Sequence, residues 1–286
     1  MTTDVILNKV FTVNYLKKLI NDQGFGLYQD VVDSLISEQK VDNNLDAFVA
    51  LYKYMFKNHR NEFFYKNTLI KKILLGIHSV NTTTALREIP ISENILDLLL
   101  INGVGRVYEI KTELDNLTRL PQQLEAYYQA FSYVNVVTDE SHFKDVSKLL
   151  EDKPTGIILL TKRGSLHVEK KALEYNGVLN SRVLFNILRK YEFENITNEV
   201  FGQLPQVNQS KYYDACFEML SKLDVKEFQW YVLRELKKRS NINSQNLSAF
   251  ETIPKEIKSL VYFSKYRPTD FEKLQKFLET DYKEVK

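Results

Sequence analysis

An aspartate interrupts a run of large aliphatic residues near the middle of this 286-residue chain. Asp97 lies within Ile-Leu-Asp-Leu-Leu-Leu-Ile, residues 95–101, a segment with the length and composition of a strand buried on both faces. Burying a carboxylate without a partner costs several kcal/mol, so Asp97 needs a cation or a proton beside it. Its surroundings therefore predict either a chemical site or a buried ion pair.

A second acid and a lysine follow twelve residues later. Alternation along residues 107–111 places Glu109 and Lys111 on one face of a strand. The Asn-Gly pair before that strand is a strong hairpin signal. Directly opposite residues of a hairpin share a face, so a two-residue loop would separate Glu109 from Asp97, whereas a three-residue loop sets them opposite. We therefore predict an odd-length loop or a bulge at residues 102–105, whose two glycines permit positive φ.

Two carboxylates within reach of one metal ion, with a lysine beside them, are suited to phosphodiester hydrolysis. Mg²⁺ prefers oxygen ligands and is usually held by one or two carboxylates, water and substrate phosphate. Lys111 could then orient or help to deprotonate the attacking water and stabilise charge on the phosphate. The three residues predict a magnesium-dependent hydrolase site, with Mn²⁺ as a possible substitute.

The order Asp97, then Glu109-Ile110-Lys111 on a hairpin, resembles the PD-(D/E)XK nuclease superfamily, which has the restriction-endonuclease-like fold. The segment Gln-Leu-Glu-Ala-Tyr that begins at Gln123 is similar to the Q-h-x-x-Y element of its RecB-like branch. The stretch from Pro154 to Leu166 resembles the trailing strands of an uncharacterised bacterial and phage-borne group in that superfamily. The resemblance covers about residues 59–178.

The resemblance implies a role for each matched residue. Asp97, Glu109 and the Ile110 carbonyl would hold the metal, and Lys111 would position water. Further roles fall to three residues outside the hairpin: Gln123 would orient Lys111 or a metal-bound water, Tyr127 would contact phosphate or brace Gln123, and Glu62 would reach the metal through water. The implied substrate is DNA, with RNA as an alternative.

Each of these residues also has a purely structural interpretation. Asp97 could be neutralised by Arg87 or Lys111, and Glu109 with Lys111 could form an exposed cross-strand ion pair. Glu62 could be an acid favoured by the helix macrodipole, and Gln123 and Tyr127 could be ordinary helix surface and core. Glu88 is a possible extra ligand, although a surface role is favoured. A non-catalytic nucleic-acid-binding or protein-interaction module on the same fold therefore remains the alternative function.

The elements around these residues predict an α/β fold. We expect a restriction-endonuclease-like mixed sheet core flanked by helices at residues 59–178, because helix, three strands, helix and strand follow one another there. Apolar spacings of three and four predict helical regions at residues 1–58 and 179–286. These helical flanks could bind substrate, a protein partner or a second copy of the chain.

The amino-acid composition further restricts the class of protein. With 44% hydrophobic and 27% charged residues the chain can bury a sizeable core. Its formal net charge of +2 is low for a dedicated electrostatic DNA binder, so nucleic-acid contact would be local or assisted by metal. A P-loop and a G-x-S-x-G element are both missing from the sequence, which argues against an NTPase or α/β-hydrolase. One cysteine, no long apolar run and no signal-peptide pattern predict a cytoplasmic protein without a membrane partner.

Overall fold

A computed structural model describes residues 3–283 and shows two compact units. One unit, called here the helical unit, contains the residues up to Asn81 together with those from Asn241 onward. The other, called the sheet unit, is Thr82–Ser240. This division differs from the three regions expected from the sequence. Periodicity identifies a helix and its apolar face, but it does not specify which other element that face will cover.

The helical unit is built from helices at both ends of the chain. They are α1 (Thr3–Val10), α2 (Val13–Leu19), α3 (Phe25–Ile36), α4 (Asn44–Asn58), α5 (Glu62–Leu69), α12 (Leu247–Glu251), α13 (Lys258–Tyr262) and α14 (Pro268–Glu279), with a π-helical turn at Ile70–Leu74. The start of α4 is joined to the end of α14 by the Asn44 amide, which donates to the Phe277 carbonyl at 2.9 Å. Tyr28, Phe48 and Phe277 form an aromatic core.

The sheet unit contains a six-stranded mixed sheet in the order β1-β2-β3-β4-β5-β6. Its strands are β1 (Thr84–Ile91), β2 (Asn94–Asn102), β3 (Val104–Lys111), β4 (Tyr133–Thr138), β5 (Gly156–Leu160) and β6 (Leu166–Lys170). The first three strands form an antiparallel meander, β3, β4 and β5 are parallel, and β6 returns antiparallel to β5. This confirms the expected mixed sheet flanked by helices, with helical N- and C-terminal regions.

Six helices belong to the sheet unit. They are α6 (Leu120–Tyr128), α7 (Phe143–Leu149), α8 (Ser181–Ile187), α9 (Lys190–Phe201), α10 (Gln209–Leu220) and α11 (Val225–Lys237). Val107 and Val136 on the sheet share one buried core with Tyr127 of α6, Phe185 of α8 and Val232 of α11. Helices α8 and α11 therefore pack against the same sheet face as α6. No helix in residues 3–283 is long and apolar enough to span a bilayer.

The β2–β3 hairpin has the odd-length loop that the sequence predicts. Asn102 pairs with Val104 and Leu98 pairs with Tyr108, and Gly103 stands alone between the strands with φ +74°. This conformation is strained for a residue with a Cβ atom. Continuing the register by one position places Asp97 opposite Glu109. The length of one turn thus decides that both carboxylates face the same side of the sheet.

Candidate functional site

The candidate site lies at one end of the sheet, where the ends of two strands and the beginning of a third bring polar residues together. The parallel strands β3 and β4 end there, at Lys111 and Thr138. Because β2 runs antiparallel to β3, the beginning of β2 lies at the same end of the sheet. Asp97, Glu109 and Lys111 therefore come from two strands but occupy one end of the sheet, as the sequence predicts.

Asp97 is held against the backbone of β3. The Ile110 amide donates to Asp97 Oδ2 at 2.7 Å, beyond the last backbone pair of the two strands, Leu98 with Tyr108. The carboxylate thus accepts the hydrogen bond that a backbone carbonyl of β2 would accept if the pairing of the two strands continued. A residue's N–H and C=O point to the same side of a strand, so the Ile110 carbonyl is also directed toward β2 and Asp97.

Glu109 and Lys111 form a buried ion pair. Lys111 Nζ lies 2.8 Å from Glu109 Oε1, and the two side chains are only 9% and 2% exposed. Their position follows from alternation along β3, since Val107 on the same face is part of the core. The interpretation of this pair as an exposed surface interaction is therefore wrong. A buried pair of this kind depends on additional hydrogen bonds, because both charges have lost most of their hydration.

Helix α6 supplies those additional hydrogen bonds. Lys111 Nζ donates to Gln123 Oε1 at 2.9 Å, and the Tyr127 hydroxyl donates to Glu109 Oε2 at 2.8 Å. The same hydroxyl also lies 3.1 Å from the Ile95 carbonyl at the start of β2. Gln123 and Tyr127 are four residues apart, so both project from one face of α6 toward the sheet. The two residues singled out by spacing are thus linked directly to the acid and the lysine.

The Tyr127 hydroxyl keeps its proton in this environment. Burial raises the pKa of Tyr127 well above its usual range, and the neighbouring Glu109 carboxylate raises it further, both by its charge and by accepting the hydrogen bond. Tyr127 is therefore a permanent donor to Glu109 at physiological pH.

The donor chemistry of the site fits a small divalent cation. Asp97, Glu109 and the Ile110 carbonyl offer the hard oxygen ligands that suit Mg²⁺ or Mn²⁺. Each Glu109 oxygen accepts one hydrogen bond, and a carboxylate oxygen has about two acceptor positions. Residues 3–283 contain no group of three or more His, Cys, Asp or Glu side chains arranged to hold a metal. The ion would thus need water or phosphate for its remaining ligands.

Two other acids have different surroundings. Glu62 lies at the start of α5 in the helical unit, where its carboxylate pairs with Lys66; its proposed role toward the metal stays a prediction. Glu88 lies in β1 between two residues that pair with β2, so its position in the register is opposite Asp97. Its φ is +53°. A non-glycine residue in this conformation is uncommon. Its place opposite Asp97 became visible only with the β1–β2 register.

Comparison with known proteins connects the chain to a phage family. The family described as bacteriophage P4 protein cII matches residues 55–261, which includes the whole candidate site. Protein cII of Enterobacteria phage P4 is 27% identical over an alignment of 154 positions, which covers 52% of this chain and 56% of the phage protein. The chain thus aligns with about half the length of that relative.

Among solved structures, a protein of unknown function from Silicibacter pomeroyi is similar with a TM-score of 0.29 and 11% identity, over 45% of this chain and 87% of that one. The sequence match is far more extensive, because the family model spans well over half of the chain. The chain belongs to the bacteriophage P4 protein cII family.

Proposed function

We propose that this protein is a magnesium-dependent nuclease of the PD-(D/E)XK type that hydrolyses phosphodiester bonds in DNA. The observation that supports this most strongly is the connected set of Glu109, Lys111, Gln123 and Tyr127, with Asp97 on the facing strand. A surface ion pair would need neither burial nor two hydrogen-bonding partners from a helix. Nuclease chemistry explains why an acid, a lysine and a second acid share one end of the sheet.

Each residue of the site would have a separate role in such a reaction. Asp97, Glu109 and the Ile110 carbonyl would hold Mg²⁺, which when bound would polarise the scissile phosphate. Lys111 would orient the attacking water and stabilise negative charge on the phosphate. Gln123 accepts a hydrogen bond from Lys111 and so fixes the direction of the ammonium group. Tyr127 holds Glu109 against the start of β2.

A nuclease digest tests this proposal. Purified protein would be incubated with plasmid and single-stranded DNA in Mg²⁺, Mn²⁺ or EDTA, beside the Lys111→Ala variant. We expect cleavage that needs the metal and is lost in Lys111→Ala. Lys148→Ala, which removes the same charge from the exposed surface of α7, should cleave like the unmodified protein. Cleavage that persists in Lys111→Ala would refute the assignment of the site.

Burial of Glu109 gives some support to a second candidate, a non-catalytic nucleic-acid-binding or interaction module. Glu109 is only 1% exposed, and both of its oxygens already accept hydrogen bonds, as they would in a purely structural network. Such a module would bind DNA or RNA in a gel-shift assay without cleaving it in either metal. RNA substrates in the same digest would reveal a ribonuclease.

The proposed substrate indicates where in the cell the protein would act. A nuclease acting on phage or host DNA would work in the cytoplasm, which the family match to a phage protein favours. Cutting both strands of a duplex in one binding event would use two such sites, and a second copy of the chain would supply the second one. Size-exclusion chromatography with and without a DNA duplex would show whether two copies assemble.

A further inference from the structure

A buried hydroxyl beside the candidate site has no partner. Thr138, the last residue of β4, is 0% exposed, and its Oγ forms no hydrogen bond within residues 3–283. Buried polar atoms in folded proteins almost always have a partner, and exceptions commonly mark a bound water or ion. The Thr138 hydroxyl therefore indicates a place where a small polar group completes the structure.

The position of Thr138 identifies what this group would contact. Thr138 pairs with Lys111 across the parallel strands β3 and β4, and paired residues share a face of the sheet. Val136 and Val107, two and four residues earlier on the respective strands, both lie in the core beneath α6, which places Thr138 and Lys111 on that face. Thr138 and Lys111 are thus neighbouring residues on adjacent strands, with their side chains on the same face of the sheet.

Lys111 has one donor to spare. An ammonium group carries three N–H donors. One is directed to Glu109 and one to Gln123, and the third has no acceptor among the described residues. A site with one unused donor and one unpaired hydroxyl offers the two polar partners that a buried water molecule needs as a minimum. No charged group is required to fill it.

We propose that one ordered water bridges the third donor of Lys111 to Thr138 Oγ, and that Thr138 is a positioning residue for this lysine. The water accepts a hydrogen bond from Nζ and donates one to Oγ. Glu109 and Gln123 take the other two donors, so in the protein without substrate this water occupies the donor that Lys111 would direct to the attacking water. The importance of this for catalysis rests on the proposed nuclease function, whereas the bridge itself does not.

Two substitutions at this position separate the hydroxyl from packing. Thr138→Val keeps the shape of the side chain and removes the hydroxyl, whereas Thr138→Ser keeps the hydroxyl. If the protein cleaves DNA, Thr138→Val should lower kcat about five- to tenfold, as expected for one lost hydrogen bond, and leave KM unchanged. Thr138→Ser should remain within about twofold of the unmodified protein. Equal losses in both variants would indicate packing and overturn the proposal.

Thr83 provides a matched control. Its hydroxyl is also buried and unpartnered, but it precedes β1 at the opposite end of the sheet, where Thr84 pairs with Ile101 next to the hairpin. Thr83→Val should not change kcat. In urea unfolding with EDTA and no DNA, Thr138→Val should lower the midpoint, whereas Thr138→Ser, which keeps the hydroxyl, should hold it.

The unfolding experiment decides the proposal even if the protein does not cleave DNA. Absence of metal-dependent cleavage would refute the nuclease function. The water bridge would then be tested by the urea unfolding midpoints alone. Thr138→Val with a midpoint equal to or above that of the unmodified protein would overturn the bridge. A crystal structure that places a water within hydrogen-bonding distance of both Nζ and Oγ would support it directly, and one that leaves this position dry would refute it.

Discussion

Replacing Lys111 by methionine should destabilise the sheet unit strongly, because it leaves the Glu109 carboxylate buried without its cation. The ammonium lies 2.8 Å from Oε1, and the glutamate side chain is only 2% exposed, so water cannot replace the lysine without opening the structure. Breaking a buried ion pair by removing one partner typically costs about 3–5 kcal/mol. We expect a loss of this size in the free energy of unfolding for Lys111→Met.

The double variant distinguishes charge burial from loss of packing. In Glu109→Gln/Lys111→Met neither side chain is charged, so most of the penalty should disappear and the loss should fall to about 1–2 kcal/mol. Urea unfolding at pH 7 with EDTA would measure both variants. The chain has one tryptophan, Trp230, which lies in α11 of the sheet unit, so its fluorescence reports on the unit that contains the pair.

The reasoning would be refuted if Lys111→Met lost less than about 1 kcal/mol, since that would place it outside the range for a broken buried pair. It would also fail if the double variant lost as much as the sum of the two single variants. Additivity would mean that the two charges do not interact. Glu109→Gln completes the double-mutant cycle and is measured in the same way.

Three further predictions concern the sheet unit, each measured by urea unfolding. Tyr127→Phe removes the 2.8 Å hydrogen bond to Glu109 and should cost about 1.5–3 kcal/mol. Arg239→Ala leaves Glu192, whose carboxylate Arg239 Nε contacts at 2.6 Å, buried without its guanidinium and should cost about 3–5 kcal/mol at pH 7. Gly105→Ala should cost about 1–3 kcal/mol, because a Cβ there would lie 2.8–2.9 Å from two core side chains.

The Arg239 prediction also has a pH dependence. Burial opposes the ionisation of Glu192, but hydrogen bonds from Arg239 and from the Arg189 backbone outweigh it, so the pKa of Glu192 is lowered on folding. The unfolded chain then binds the proton more tightly, and the stabilisation is present above the ordinary glutamate pKa and is lost as the pH falls through the lowered value. The stability difference between Arg239→Ala and the unmodified protein should therefore shrink below about pH 4. A difference that is the same at pH 7 and pH 3 would contradict this.

Controls for the other two variants come from neighbouring residues. Tyr128→Phe removes a hydrogen bond to a neutral partner, the Thr155 hydroxyl at 3.0 Å, and should cost less than Tyr127→Phe, about 0.5–1.5 kcal/mol. Gly103→Ala meets no atom within 4 Å but requires φ +74°, so it isolates backbone strain of about 1 kcal/mol. Equal losses for the two tyrosine variants would argue against a charged acceptor at Tyr127.

The sequence by itself determined the local features of the candidate site. Alternation along β3 placed Glu109 and Lys111 on one face, and the spacing of Gln123 and Tyr127 placed both on one face of α6. The requirement that Asp97 and Glu109 meet predicted an odd-length loop, which Gly103 provides. These inferences succeeded because the repeat of a strand or helix and the length of a turn are fixed by covalent geometry over a few residues.

Only the tertiary structure decided which elements meet. It assigned helices α8 to α11 to the sheet unit, and α12 to α14 to the helical unit with Glu62. It also placed Thr138 beside Lys111 and Glu88 opposite Asp97, and it buried Arg239 against Glu192. Contacts between distant segments depend on how whole apolar faces fit together. That fit is a property of the packed molecule, and no short stretch of sequence encodes it.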